Sequence, residues 1–207
     1  MLQTMESEFT TNWFQISKSN WEQLIPRTNP SMILEIGSYE GASACFVIEK
    51  LGNEKPIEIH CVDTWTGSIE SKESDMDSVE RRFDNNTAIA ICKVSHDVKL
   101  VKHKGMSDQI LSRLVADGYA GHFDFVYIDG SHQAPDVLCD AVLGFRLCKA
   151  GGVMVFDDYL WTDRSAREHD TLRTPKPAID AFTNIYAKKI SIFSAPLYQL
   201  YLKKLAD

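Results

Sequence analysis

The chain has 207 residues, of which 44% are apolar and 25% charged, and its net charge is −7. That length is enough for one large domain with its own core, and the acidic balance argues against a nucleic-acid surface, which would carry a basic stripe. No apolar run approaches the ~18 residues that span a bilayer.

From residue 31 onward the pattern alternates strand and helix. Met32–Ile36 is a short apolar strand, followed by a glycine-bearing turn and a helix over Ser43–Lys50 that Leu51-Gly52-Asn53 ends. Ile57–Val62 forms a second strand, ending at Asp63; a polar stretch from Ser68 to Ser78 leads into a helix over Val79–Ile91. Val98–His103 is the third strand, and Ser107 is the expected N-cap of a helix to Ala116. Phe123–Ile128, a helix over Pro135–Cys148 and Val153–Phe156 complete the alternating part. Pro177 then opens a helix to about Ala187, as proline does in a first turn. Ile190–Ala195 and Tyr198–Lys203 are too close for a crossover helix, so an antiparallel edge pair is expected. The fold class is therefore α/β: a Rossmann-like, doubly wound sheet, mostly parallel, with that pair at its C-terminal edge. Residues 1–207 are read as one domain, with residues 1–30 an N-terminal aromatic helical extension. That extension, with Phe9, Trp13, Phe14 and Trp21, could cap a cleft, mediate a homo-oligomer contact or cover a hydrophobic face; covering is the default.

Ligands of such sheets bind outside the carboxyl ends of the strands, and the noteworthy polar residues fall there: Glu35, Asp63, Asp129, His132, Asp157 and Asp158. The first turn reads Glu35-Ile36-Gly37-Ser38-Tyr39-Glu40-Gly41. It is not the G-x-G-x-x-G of dinucleotide sites, because Tyr39 stands where a middle glycine would. An acid two residues before Gly37 suits a cationic ligand, such as the amine of S-adenosylmethionine, better than a pyrophosphate. Asp63 is placed to accept the two hydroxyls of a ribose or to cap the loop Thr64-Trp65-Thr66-Gly67. Trp65 could lie on an adenine face or fill the core. Gly105-Met106-Ser107 follows the third strand where the adenine would sit, although a methionine there is more often packing.

Asp129 and the pair Asp157-Asp158 bring several anions to one rim. Held together, they raise one another's pKa unless a positive charge lies between them, and a hard cation with oxygen ligands, Mg²⁺ or Ca²⁺, fits best. The plainer account is that they cap turns. His132 could take a proton from an acceptor hydroxyl or bond a strand-end carbonyl. The loop from Trp161 to Arg173, with Arg164, Arg167 and His169, reads as an acceptor-facing flap or a solvated loop. The five cysteines, Cys45, Cys61, Cys92, Cys139 and Cys148, read as reduced small hydrophobes. Met1 to Thr10 lacks the features of a secretory signal, so a cytoplasmic location is expected.

In order, Glu35–Gly41, Val62-Asp63-Thr64-Trp65, Phe123–His132 and Ala150–Tyr159 resemble the class I S-adenosylmethionine-dependent methyltransferases, and more narrowly the branch called methyltransferase domain 24. Asp157-Asp158-Tyr159-Leu160-Trp161 resembles the Asp-Asn-x-Leu-Trp segment of cation-dependent catechol-type O-methyltransferases, with Asp158 replacing asparagine. The resemblance implies Glu35, Gly37, Ser38, Gly41, Ser43, Asp63, Thr64, Trp65, Ser107 and Asp129 at the cofactor. It implies Asp129, Asp157 and Asp158 at a divalent cation, and Asp129 and His132 in catalysis. No lysine follows Asp129 closely, so the proton acceptor would be His132 or a metal-bound aspartate. The expected reaction is methyl transfer to a hydroxyl of a small molecule or sugar, with neither nucleic acid nor membrane as partner. A non-catalytic nucleoside-binding module and a tailoring hydroxylase on the same fold are the rival readings, because fold does not fix function.

Overall fold

In the computed structural model, which describes residues 6–67, 76–162 and 170–207, seven strands form one sheet in the order β3-β2-β1-β4-β5-β7-β6. The strands are β1 (Met32–Ile36), β2 (Ile57–Asp63), β3 (Val98–Lys104), β4 (Phe123–Ile128), β5 (Cys148–Phe156), β6 (Ile190–Ile192) and β7 (Leu200–Lys204). The helices are α1 (Gln15–Thr28), α2 (Ala42–Leu51), α3 (Met76–Cys92), α4 (Ser107–Leu114), α5 (Ala134–Leu147) and α6 (Lys176–Ile185). The first five strands are parallel, and β7 runs antiparallel between β5 and β6. The expected α/β class and C-terminal antiparallel pair are therefore present, with β6 at the outer edge.

Successive strand residues point to opposite faces, and the two cores follow that parity. Ile33, Phe125, Tyr127, Val153 and Val155 pack with residues of α1, α2 and α3. Leu34, Ile36, Val126, Ile128, Met154 and Phe156 pack with residues of α4, α5 and α6. The chain reverses its strand order at β1, which lies between β2 and β4; this is the switch point where such sheets bind ligands.

Three local expectations change. Ser107 is the first helical residue of α4 and Met106 occupies the N-cap, so Ser107 does not cap. Strand β5 starts at Cys148, earlier than Val153, because Cys148 pairs with Phe123 before a register irregularity. Strand β6 stops at Ile192, and β7 starts at Leu200. Of the N-terminal aromatics, Trp21 takes the covering role: it and Ile25 are buried, whereas Phe9 and Trp13 are exposed, and the Trp21 ring stands edge-on to Phe125 and Tyr127. Residues 68–75 of the polar stretch and 163–169 of the flap, including Arg164, Arg167 and His169, lie outside the described residues. No helix among the described residues is long and apolar enough to cross a membrane.

Candidate active site

The β1–α2 turn is built on left-handed backbone. Gly37 has φ +86° and Gly41 φ +80°, and Tyr39 between them adopts φ 47°, so the non-glycine residue keeps a conformation glycine would favour. What demands glycine at position 37 is the neighbouring strand end. A Cβ there would lie 1.9 Å from the Asp129 carbonyl oxygen and 2.7 Å from the Gly130 Cα. The glycine turn and the acid-bearing turn thus touch through their backbones.

Asp63 ties two loops together. Its Oδ2 accepts the amides of Ser38 and Tyr39, both at 2.9 Å, and its Oδ1 accepts the Trp65 amide at 2.7 Å. The loop-capping reading is realised, and two amides of the glycine turn are engaged there instead of facing a phosphate. Both lone pairs of Oδ2 are used, and one remains on Oδ1 for a ribose hydroxyl. Trp65 is buried, donates its indole N–H to the Tyr39 carbonyl at 2.9 Å, and lies beside Phe83 and under the Lys102 ammonium. It props the turn from the core and offers no face to an adenine. Thr64 Oγ1 accepts the Thr66 amide at 3.2 Å.

Glu35, one residue before the end of β1, is almost fully buried, with one oxygen taking the Ser43 hydroxyl and Oε2 without a hydrogen-bond partner among the described residues. Burial pushes its carboxyl up to about 7, against a lowering contribution from Ser43. Ser38 is also buried, and its Oγ likewise lacks a partner among the described residues. Ser107 hydrogen-bonds the buried Asp140 on α5, whose carboxyl burial raises to about 7. Met106 beside it is exposed.

The acids gather at the ends of β4 and β5. Tyr127, one residue before the end of β4, places its phenol oxygen 2.8 Å from Asp129 Oδ2 and within hydrogen-bond reach of Asp157 Oδ2. Asp157 Oδ1 accepts the Asp158 amide at 2.8 Å. Asp158, at φ 53°, turns its carboxylate to His132, with Oδ2 2.9 Å from Nε2. The His132 ring packs on Trp161 at 4.1 Å between centroids. Desolvation, then the charges of Asp157 and Asp158, hold the Asp129 carboxyl well above its usual range. Desolvation and Asp158 likewise raise Asp157. The cleft bounded by Asp129, His132, Asp157 and Asp158 has a volume of 10 Å³, close to the ~10–15 Å³ that one water-sized sphere needs. Among the described residues, no three His, Cys, Asp or Glu side chains are assembled as a ready ligand set. The expected carboxylate trio is therefore not preassembled. Asp129 and Asp157 converge through one phenol, whereas Asp158 is held by a histidine.

Two contributors escape sequence reasoning. Tyr127 shares the sheet face of Asp129 by strand parity, a signal that was available. Glu40 is a buried acid that pairs with Arg82 on α3 and accepts the Thr10 amide and hydroxyl at 2.7 and 2.8 Å. Asn86 Nδ2 donates to the Glu40 and Glu8 carbonyls, so the N-terminal segment is strapped to the turn, with Trp13 5.1 Å from the Tyr39 ring.

Residues 34–159, more than half of the chain, match the family model described as Methyltransferase domain. The chain belongs to this methyltransferase family. The match spans β1 to the segment after β5 and so contains the turn, Asp63, and the acids. Over 172 residues the chain is 23% identical to the probable caffeoyl-CoA O-methyltransferase 3 of Dictyostelium discoideum, covering 80% of this chain and 60% of the relative's length. Among solved structures it is similar to the O-methyltransferase TomG of Streptomyces achromogenes, determined with SAM, at 19% identity and a TM-score of 0.65, covering 92% of this chain and 80% of that one. An O-methyltransferase from Bacillus cereus in complex with SAH superposes with a TM-score of 0.61 at 14% identity, covering 97% and 84%. The Rossmann-like methyltransferase architecture expected from the sequence is thus the one observed.

Proposed function

We propose that this methyltransferase moves the methyl group of S-adenosylmethionine to a hydroxyl of a small-molecule acceptor, with a divalent cation held at the ends of β4 and β5. The carrying observation is the pair of buried carboxylates, Asp129 and Asp157, brought onto one phenol oxygen beside the glycine turn. One phenolic hydrogen cannot serve both at once, so the pair calls for a further positive group. The donor set is all oxygen and the cleft has room for about one small ion, which suits Mg²⁺ or Ca²⁺. Such an ion would supply Lewis acidity to the acceptor hydroxyl and a fixed point for its oxygen. The relatives named as O-methyltransferases support oxygen as the acceptor atom.

Glu35, with a partnerless buried oxygen, receives the ammonium of the cofactor's methionine part, and Asp63 accepts its ribose. Transfer forms the bond from acceptor oxygen to methyl carbon and breaks the carbon–sulfur bond, leaving S-adenosylhomocysteine. The acceptor's proton passes to His132 or to an aspartate of the pair. Where His132 serves, the Asp158 oxygen 2.9 Å from its Nε2 orients the ring for that step. Alignment of oxygen, carbon and sulfur by these fixed groups supplies most of the acceleration.

Titration calorimetry with S-adenosylmethionine and then Mg²⁺ tests the reading. Saturable binding of each is expected, followed by loss of methyl transfer to catecholic and sugar hydroxyls under a chelator. Transfer that proceeds unchanged under the chelator overturns the cation's part. Absence of cofactor binding overturns the whole.

A further inference from the structure

We propose that Trp21, Gln199 and Tyr127 form a one-way hydrogen-bond relay that positions the carboxylates of Asp129 and Asp157 toward a cation. The relay rests on the cation reading above and adds residues from the N-terminal helix and the bend just before β7. Its direction follows from donor chemistry. An indole N–H can only donate, and Trp21 Nε1 lies 2.9 Å from Gln199 Oε1. The Tyr201 hydroxyl reaches the same oxygen. Gln199 must therefore turn its NH₂ the other way, where Nε2 sits 3.4 Å from the Tyr127 oxygen. With that lone pair engaged, the phenol's only hydrogen points onward to the acids, at Asp129 Oδ2 and Asp157 Oδ2.

The relay is rigid as well as directional. Gln199 and Tyr127 are buried, and the Trp21 ring is edge-on to Tyr127 at 4.7 Å between centroids. Each donor lends partial positive charge to the next, so the chain stabilises negative charge at its acidic end. It also holds the phenol oxygen between Asp129 Oδ2 and Asp157 Oδ2, donating to one of them at a time, which restricts how the remaining lone pairs can approach an ion. These three are positioning residues; none faces the acceptor. Outer partners of metal-bound carboxylates commonly set affinity by about 10–100-fold.

The test measures Mn²⁺ affinity by electron paramagnetic resonance, in the presence of S-adenosylmethionine, with cofactor affinity measured separately by calorimetry. Tyr127→Phe keeps the ring and should weaken Mn²⁺ by about 10–100-fold while leaving cofactor affinity unchanged. Gln199→Leu should weaken it by roughly 2–10-fold, the worth of one hydrogen bond, and should cost less in the Tyr127→Phe background, where only its direct hydrogen bond to Asp157 is left to lose. If Tyr127→Phe does not fold, Gln199→Leu and Trp21→Phe read the relay one and two steps back, with the same ordering. Wild-type Mn²⁺ affinity in the variants overturns the relay alone. Absence of saturable Mn²⁺ binding in the wild type overturns the cation reading and the relay with it.

Discussion

Replacing Glu35 with Gln should make the protein's stability less sensitive to pH, by an amount the structure sets. The Glu35 carboxyl stands near 7 when folded, against 4.5 as its ordinary value, chiefly because burial disfavours the charge. The folded state therefore holds one more proton than the unfolded state between those values, and unfolding free energy falls as pH rises through the window. A shift of about 2.5 units corresponds to about 3 kcal/mol in full. Of this, about 2 kcal/mol falls between pH 5.5 and pH 8. Glu35→Gln removes the titration and leaves other groups in place, so its stability relative to wild type should improve by about 2 kcal/mol from pH 5.5 to pH 8. Urea unfolding of both proteins at the two pH values measures this directly. The same carboxyl should govern the cofactor: wild-type affinity for S-adenosylmethionine should rise roughly tenfold from pH 5.5 to 7 as Glu35 ionises. The variant should bind weakly and without that slope. A stability difference that is the same at both pH values, with a pH-flat wild-type affinity, would refute the assignment of Glu35 as a buried, ligand-awaiting acid.

Asp157→Asn should lower metal-stimulated methyl transfer by about 100-fold or more, with cofactor affinity by calorimetry within about twofold of wild type. Gly37→Ala should cost at least about 3 kcal/mol, read as a lowered melting temperature or insoluble expression, because its Cβ would meet the Asp129 carbonyl at 1.9 Å. Asp158→Asn should melt at or slightly above the wild-type temperature, since asparagine tolerates the left-handed backbone found there at φ 53°. It should also retain Mn²⁺ binding, because Asp158 engages His132 while Asp129 and Asp157 share the phenol.

Strand ends were legible because apolar runs and their terminal acids are local signals. Those signals put Glu35, Asp129 and Asp157 at the ends of β1, β4 and β5; the sheet face that they share is shown by the strand pairing. Capping geometry was not legible in the same way. Ser107 has the chemistry of an N-cap, yet the helix starts on it, and its hydroxyl goes to Asp140 on a helix 33 positions along the chain. Asp63 carries the acid expected of a ribose partner, but its first duty is to hold three amides, two of them from another loop. Trp65 reads as a cofactor wall only while its burial against Phe83 is unknown. The relay was out of reach altogether, because Gln199 meets Trp21 across 178 residues and Tyr127 across 72. Such pairs are fixed by tertiary packing, and no local spacing encodes them.

Register explains why the glycine turn and the acids lie side by side. Glu35 pairs with Tyr127, and Tyr127 with Val155, so these three stand in a row across β1, β4 and β5. Asp129 and Asp157 lie two residues beyond that row on the same face, about 6.6 Å further along at ~3.3 Å per residue, on strands ~4.8 Å apart. The methionine end of a cofactor seated at Glu35 would therefore lie about 8 Å from Asp129 and about 12 Å from Asp157, two strands away, a span that the cofactor's methyl and an acceptor hydroxyl would fill. Gly37 closes the arrangement from the backbone side, since only a residue without a side chain lets the turn abut Asp129. A slip of one residue in β4 would carry Tyr127 and Asp129 to the α5 face and separate them from Glu35. The pairing of strand ends that builds the core thus also fixes the spacing across which the proposed methyl transfer would take place.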